Sequence, residues 1–115
     1  MTLDSGTDFN ISVTFRHTES TASLKNYATE KISHCLKKYI SSSASIQIVL
    51  SVEKRDHSVE VKVLSKDYDL SGKAVTTDLY SAIDKVVDTL EAQVRKQKDR
   101  LRSHKHASPR EAELS

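Results

Sequence analysis

The sequence predicts an α+β fold: a two-layer β-α-β-β-β-α sandwich, with a four-stranded sheet that carries both helices on one face. Four short segments alternate apolar and polar residues, as half-buried strands do. Two longer segments repeat apolar residues with helical spacing, and the order along the chain is strand, helix, three strands, helix. Each element has one apolar side, and packing both helices on one face of the sheet buries the apolar sides of all the elements.

Residues 9–15 form the first predicted strand, because Phe9 to Phe15 alternates strictly. A helix capped by Ser20 or Thr21 follows and runs to about Tyr39. If the first and second strands are parallel, this helix is the crossover between them. The predicted buried stripe of the helix contains Leu24, Ala28, Ile32, Cys35 and Tyr39.

A polar row borders this stripe and consists of Tyr27, Lys31, His34 and Lys38. Lysines aligned with an aromatic residue and a titratable histidine suit an RNA backbone. The alternative is that Tyr27 covers the core while the lysine stems lie over it. The spacing favours neither interpretation.

The next three strands are predicted at residues 46–52, 59–63 and 68–74, with turns at 54–56 and 65–67. The second and third strands form a hairpin, and the last three form a meander. Gly72 and Ala74 share a face of the fourth strand and are small. We therefore expect a bulky element, the second helix, to lie against them.

The second predicted helix spans residues 78–105, with Thr77 as its N-cap and no Gly or Pro in it. Its length is about 42 Å at ~1.5 Å per residue. The predicted apolar stripe contains Ile83, Val87, Leu90, Val94 and Leu101.

The charges of this helix are sorted around its axis. One flank holds acidic residues close to arginines, namely Asp84, Asp88 and Glu91 with Arg95 and Arg102. The other flank, here called the basic strip, has no carboxylate and contains Lys85, Thr89, Ala92, Gln93, Lys96 and Arg100. Such a strip suits phosphate binding, although an ordinary solvated face has the same composition. We expect the strip to merge with Lys31 and Lys38 of the first helix into one surface.

The chain has 115 residues, which predicts one domain, and its net charge is only +2. Attraction to nucleic acid must therefore come from local clustering, as between residues 95 and 105, where six basic residues face one acidic residue. A single cysteine, Cys35, excludes an internal disulfide and fits a reducing cytoplasm. No apolar run is long enough for a membrane span, and no signal peptide is visible. We expect a flexible N-terminus at 1–8, a domain at 9–105 and a disordered tail at 106–115.

No catalytic or metal-binding motif stands out. Asp84 and Asp88 share a helix face, as exposed acidic residues commonly do. His34 and Cys35 are neighbours that point about 100° apart on a helix, so they cannot chelate one ion together. We therefore expect no enzyme activity, no metal and no cofactor.

Four sequence segments carry a resemblance to a known family. The segment DLYSAID at 78–84 resembles a D-M-Y-A-A-I-D signature, and QVRKQKDRL at 93–101 resembles Q-L-x-K-H-K-x-K-L. Arg16-His17 resembles a G-R-H turn, and VEK at 52–54 resembles a V-E-K segment. Over roughly 9–105 the chain thus resembles the short ribosome hibernation promoting factor and ribosome-associated inhibitor family of bacteria.

The resemblance implies a monomeric, cytoplasmic domain of the predicted fold that binds the small ribosomal subunit and its 16S-type rRNA. It would occupy the channel for tRNA and mRNA and silence translation sterically, without a small-molecule substrate or a membrane. With the charge pattern, it predicts rRNA contacts by Arg16, Lys31, Lys38, Lys85, Gln93, Lys96, Lys98, Arg100 and Arg102.

Some positions depart from the family pattern. Thr89 and Ala92 stand where basic residues are usual, Gln97 where His is common, and Phe15 where Gly is common. Weaker binding to rRNA than that of a typical member would follow. Two other functions stay open: a general double-stranded RNA-binding module, and a protein-interaction module that uses the outer face or an edge of the sheet.

Overall fold

The computed structural model describes the backbone of residues 9–106 and the side chains of residues 9–100. The element bounds are β1 (Phe9–Arg16), α1 (Ala22–Lys37), β2 (Ala44–Glu53), β3 (Asp56–Ser65), β4 (Asp69–Thr76) and α2 (Leu79–His106). This order confirms the predicted β-α-β-β-β-α fold. The expected flexible N-terminus and all of the expected tail except His106 lie outside the described residues, and His106 ends α2.

The sheet order is β1-β2-β3-β4. β1 and β2 are parallel. The β2–β3 pair and the β3–β4 pair are antiparallel. Only two residues, Lys54 and Arg55, separate the paired ends of β2 and β3. α1 contacts β1 and α2, and α2 also packs on β3 and β4. Both helices therefore lie side by side on the face that carries the buried strand residues.

The helix N-termini are fixed by different residue types. The Leu24 N–H donates to Oγ1 of Thr21 at 3.2 Å, which confirms the predicted cap of α1. For α2 the predicted cap, Thr77, is wrong. Asp78 caps this helix, because its carboxylate accepts from the N–H of Ser81 at 2.9 Å and from its hydroxyl at 2.7 Å. These hydrogen bonds lower the pKa of Asp78.

The core lies between the helices and the inner face of the sheet. It contains predicted residues such as Ile32 and Leu90, and also Leu36 and Val86, which the predicted stripes omit. Each helix touches both the sheet and the other helix, so its buried arc is wider than a single stripe. α2 crosses β4 at Gly72, where an added Cβ would lie 3.3 Å from methyl groups of Val86 and Thr89.

The two helices run parallel, as their contacts show. Tyr27 in the N-terminal half of α1 contacts Asp84 and Tyr80 in the N-terminal half of α2. Tyr39, just after α1, contacts Glu91 and Arg95 farther along α2. The C-terminal halves of both helices therefore lie at the same end of the molecule.

Candidate nucleic-acid interface

The acidic flank of α2 faces α1. The Tyr27 hydroxyl donates to Oδ1 of Asp84 at 2.7 Å, and the Tyr39 hydroxyl donates to Oε2 of Glu91 at 2.9 Å. Nζ of Lys38 lies 3.3 Å from the same Glu91 oxygen. The hydrogen bond to Asp84 raises the pKa of Tyr27. The carboxylates of α2 are therefore partners of α1 in the seam between the helices.

The opposite flank of α2 lies over the edge strand β4. The Ser71 N–H donates to Oε1 of Gln93 at 3.1 Å, and Nε2 of Gln93 donates back to the Ser71 carbonyl. Gln97 forms the same pair with Asp69, at 3.4 Å from the strand N–H and 3.0 Å to the strand carbonyl. Both amides thus take the place of a neighbouring strand, and Gln93 binds the sheet rather than standing free for a ligand.

The basic strip is only partly solvent-facing. Lys85, Lys96 and Arg100 are exposed, and no ion pair engages them among the side chains of residues 9–100. They lie around α2 on the side away from α1, because the Asp84–Glu91 flank occupies the seam. The expected merging of this strip with Lys31 and Lys38 is therefore wrong along the seam, where carboxylates separate the two sets of cations.

A concentration of exposed positive charge is found instead toward the C-terminal ends of the two helices, with one exposed carboxylate, Asp99, among it. We call it the basic end; it consists of Lys37, Lys38, Arg95, Lys96, Lys98 and Arg100, all exposed. Gln97 lies beside Asp69, the first residue of β4, so the rest of α2 projects beyond the sheet. Lys98 and Arg100 are thus on the projecting part of α2, whereas Arg95 and Lys96 precede it and the cations of α1 lie near its base.

Three predicted contact residues lie apart from the basic end. Arg16 follows the half-buried residues of β1 in alternation and is exposed, so it projects from the sheet face opposite the helices. Nζ of Lys31 lies 5.5 Å from the centroid of the Tyr27 ring, which supports the interpretation that this lysine lies over an aromatic cover. Lys85 is exposed in the N-terminal half of α2. The side chain of Arg102 lies outside the described residues.

The sequence pattern did not identify two residues that take part in contacts at the basic end, Tyr39 and Arg95. The helical stripe places Tyr39 in the core, but this residue is half-buried, and its hydroxyl contacts both Glu91 and Nε of Arg95. The charge pattern places Arg95 on the neutralised flank through Glu91, and that i,i+4 pair is present at 3.5 Å. Helical spacing gave no signal for Tyr39, because it lies beyond the end of α1 and, at ~100° per residue, a helix would place it about 120° from Tyr27.

The outer face of the sheet has a different character. Lys62 and Lys73 lie beside Glu60 on this face, Arg16 lies at the end of β1, and hydroxyl and amide side chains make up much of the rest. The exposed Leu64 and Val75 lie near opposite ends of the β3–β4 pair, roughly 20 Å apart at ~3.3 Å per residue. This face therefore offers neither a basic nor a continuous apolar surface.

Metal and thiol chemistry find little support in the described part of the chain. Among those residues, no three His, Cys, Asp or Glu side chains are grouped so as to hold a metal ion. Burial raises the pKa of the Cys35 thiol, and the side chain packs in the helix layer. Neither described helix has a stretch apolar enough, over sufficient length, to cross a bilayer.

Comparison with known proteins gives consistent similarities. The chain is 30% identical over 94 residues to a ribosome hibernation promoting factor of Escherichia coli strain K12, covering 82% of this chain and 98% of that protein. It is 27% identical over 93 residues to a ribosome hibernation promoting factor of Pseudomonas putida, covering 81% of this chain and 90% of that protein.

Solved structures show the same fold. The N-terminal domain of Thermus thermophilus Protein Y superposes with a TM-score of 0.68 and 27% identity, covering 76% of this chain and 97% of that one. A ribosomal subunit interface protein from Coxiella burnetii gives a TM-score of 0.69 at 22% identity, covering 78% of this chain and 98% of that one. The second likeness shows the fold alone.

The family match spans most of the described domain. Residues 11–102 match the family described as Sigma 54 modulation protein / S30EA ribosomal protein. That range includes the four segments on which the sequence resemblance rests, and the curated relatives carry the hibernation factor name. The chain therefore belongs to the Sigma 54 modulation protein / S30EA ribosomal protein family, which confirms the resemblance.

Proposed function

We propose that this protein is a ribosome hibernation factor that binds the small ribosomal subunit and blocks its tRNA and mRNA channel. Its family and the names of its relatives support ribosome binding and hibernation. The observation that carries the proposal is the basic end, in which six exposed cations lie in or just after the C-terminal halves of two parallel helices. We propose that the protein is monomeric when free, acts in the cytoplasm and catalyses no reaction.

The shape of the basic end suits a channel lined with RNA. A rod of positive charge that projects beyond the sheet can enter between RNA segments, and neutralising phosphates releases condensed counterions. The negative seam and the mixed outer face of the sheet are poor surfaces for phosphate groups. RNA therefore contacts the C-terminal halves of the helices, rather than their whole length as the sequence suggested.

Charge reversal tests the surface. In the Lys96→Glu/Arg100→Glu variant, binding to salt-washed small subunits should be lost or strongly weakened, with the fold intact by circular dichroism. Any residual binding should show a salt slope lower by roughly two, at about 0.9 per lost phosphate contact. The matched control is Lys62→Glu/Lys73→Glu, which makes the same charge change on the outer sheet face. Equal loss in both variants would refute a role for this particular surface.

Competition tests the proposed location. Pre-incubation of small subunits with the protein should prevent binding of mRNA-programmed tRNA, because both need the same channel. Simultaneous binding of protein and tRNA at saturation would exclude the channel and leave another site on the subunit.

A second experiment measures binding to an RNA duplex of about 20 base pairs, which is longer than the ~16 that a double-stranded RNA-binding domain spans. Equal affinity for this duplex and for small subunits would indicate a general double-stranded RNA-binding module.

A further inference from the structure

One tyrosine and one glutamate gather three cations from both helices within the basic end. The Tyr39 hydroxyl donates to Oε2 of Glu91 at 2.9 Å and accepts from Nε of Arg95 at 3.4 Å. Nζ of Lys38 and Nη2 of Arg95 lie 3.3 and 3.5 Å from the same Glu91 oxygen. Nζ of Lys98 lies 5.8 Å from the centroid of the Tyr39 ring. Tyr39 and Glu91 therefore contact three positive side chains between them.

The carboxylate lies below the cations. The Glu91 side chain is 22% exposed, whereas those of Lys38 and Arg95 are 51% and 68% exposed. Arg95 donates one hydrogen bond, from Nε, of the five N–H donors that a guanidinium carries, and Lys38 donates one of its three. Both cationic side chains are therefore more accessible to a ligand than the carboxylate that they contact.

An internal ion-pair network is the simpler interpretation of these contacts, but the charges do not balance. Three cations contact one carboxylate and the neutral Tyr39, and Asp99, one turn beyond Arg95, forms no ion pair with them among the described side chains. Lys98 contacts the tyrosine ring and forms no ion pair among the side chains of residues 9–100. The cluster thus keeps a net positive charge that it does not satisfy itself.

We infer that Lys38, Arg95 and Lys98 form a cradle for one RNA phosphodiester, in which Tyr39 and Glu91 are positioning residues. The inference rests on the proposed function and extends it to a site between the two helices. Arginine binds phosphate through paired N–H donors, and two flanking ammonium groups add charge. Holding these side chains in advance lowers the entropy lost when the phosphate binds.

The first test is charge-neutral. Tyr39→Phe removes the hydroxyl that joins Arg95 to Glu91 and keeps the ring beneath Lys98. Binding to salt-washed small subunits should weaken roughly three- to tenfold, as expected for one lost hydrogen bond, while the salt slope stays unchanged. Tyr80→Phe is the matched control, because Tyr80 is exposed in the N-terminal half of α2. Wild-type affinity in Tyr39→Phe would overturn the positioning role.

The second test removes charge. Arg95→Gln/Lys98→Gln should lower the salt slope by about 0.9, since the contact with one phosphate is lost. A wild-type salt slope would overturn the cradle. If that result accompanies weakened binding in Lys96→Glu/Arg100→Glu, the proposed function stands and only this inference fails. If the wild-type protein does not bind small subunits at all, both fail together.

Discussion

Among the described residues, Glu91 forms two of the four side-chain hydrogen bonds that join α2 to α1 and the two residues after it. Its carboxylate accepts from Tyr39 and pairs with Lys38 and Arg95. The hydrogen bond from Tyr39, followed by that from Lys38, holds the pKa of Glu91 below its ordinary value of 4.5. One residue thus links the chain segment that follows α1 to the surface of α2.

The lowered pKa of Glu91 predicts how stability changes in acid. Because the folded state favours the ionised carboxyl, its stabilisation is present above the ordinary pKa and is lost as the pH falls through the lowered one. Urea unfolding at about pH 6 and about pH 3 should therefore show a larger loss of stability for wild type than for Glu91→Gln. Equal losses in both proteins would show that the contacts at Glu91 do not stabilise the fold.

Gly72 has a packing role that the sequence did indicate. The prediction that a bulky element lies against Gly72 is confirmed, because methyl groups of Val86 and Thr89 lie 3.3 Å from where a Cβ would be added. Gly72→Ala should lower the free energy of unfolding by about 1–3 kcal/mol, because α2 must shift or its side chains must change rotamer. Chemical denaturation measures this change, with Ser71→Ala on the exposed face as control. Unchanged stability would mean that α2 relaxes freely at this crossing.

At the scale of elements, the edge strand β4 and the helix α2 are joined by two side-chain amides. Gln93 and Gln97 occupy the N–H and C=O groups of Ser71 and Asp69 that another strand would otherwise pair with. An open strand edge invites pairing with other chains, so these amides also protect it. Gln97, a departure from the family pattern, therefore has a structural role in this chain.

Hydrogen exchange tests whether the two glutamine amides protect the edge of β4. In Gln93→Ala/Gln97→Ala, the amides of Ser71 and Asp69 should exchange faster with solvent, because their acceptors are gone. Stability should fall by about 0.5–1.5 kcal/mol for each net hydrogen bond lost. Lys96→Ala is the control, since Lys96 is on the same helix and exposed. Unaltered exchange at the Ser71 and Asp69 amides would contradict this protection of the strand edge.

The elements also show what periodicity can and cannot predict. Alternation and helical spacing identified all six elements and the one-faced helix layer, because burial of apolar residues dictates both patterns. They separated the acidic flank of α2 from the basic strip but could not tell which flank meets α1. That choice depends on where β4 lies in the sheet, and it decided that Gln93 contacts a strand and that Glu91 lies in the seam.

At the scale of the whole molecule, charge is distributed by position along the parallel helices. Carboxylates such as Asp84 and Glu91 are bound in the seam, whereas the basic end gathers the cations of both helices. A net charge of only +2 therefore conceals a strongly basic region at one end. The sequence showed the cluster on α2, but the joining of Lys38 and Tyr39 to it required the parallel packing of α1.

The central claim is that the basic end, and not the sheet, contacts ribosomal RNA. A cryo-EM reconstruction of the small subunit with the bound protein tests this most directly. We predict that Lys96, Lys98 and Arg100 lie against rRNA phosphates in the tRNA and mRNA channel, with the outer sheet face turned away from them. A map in which the outer sheet face contacts rRNA while the basic end points into solvent would contradict the account.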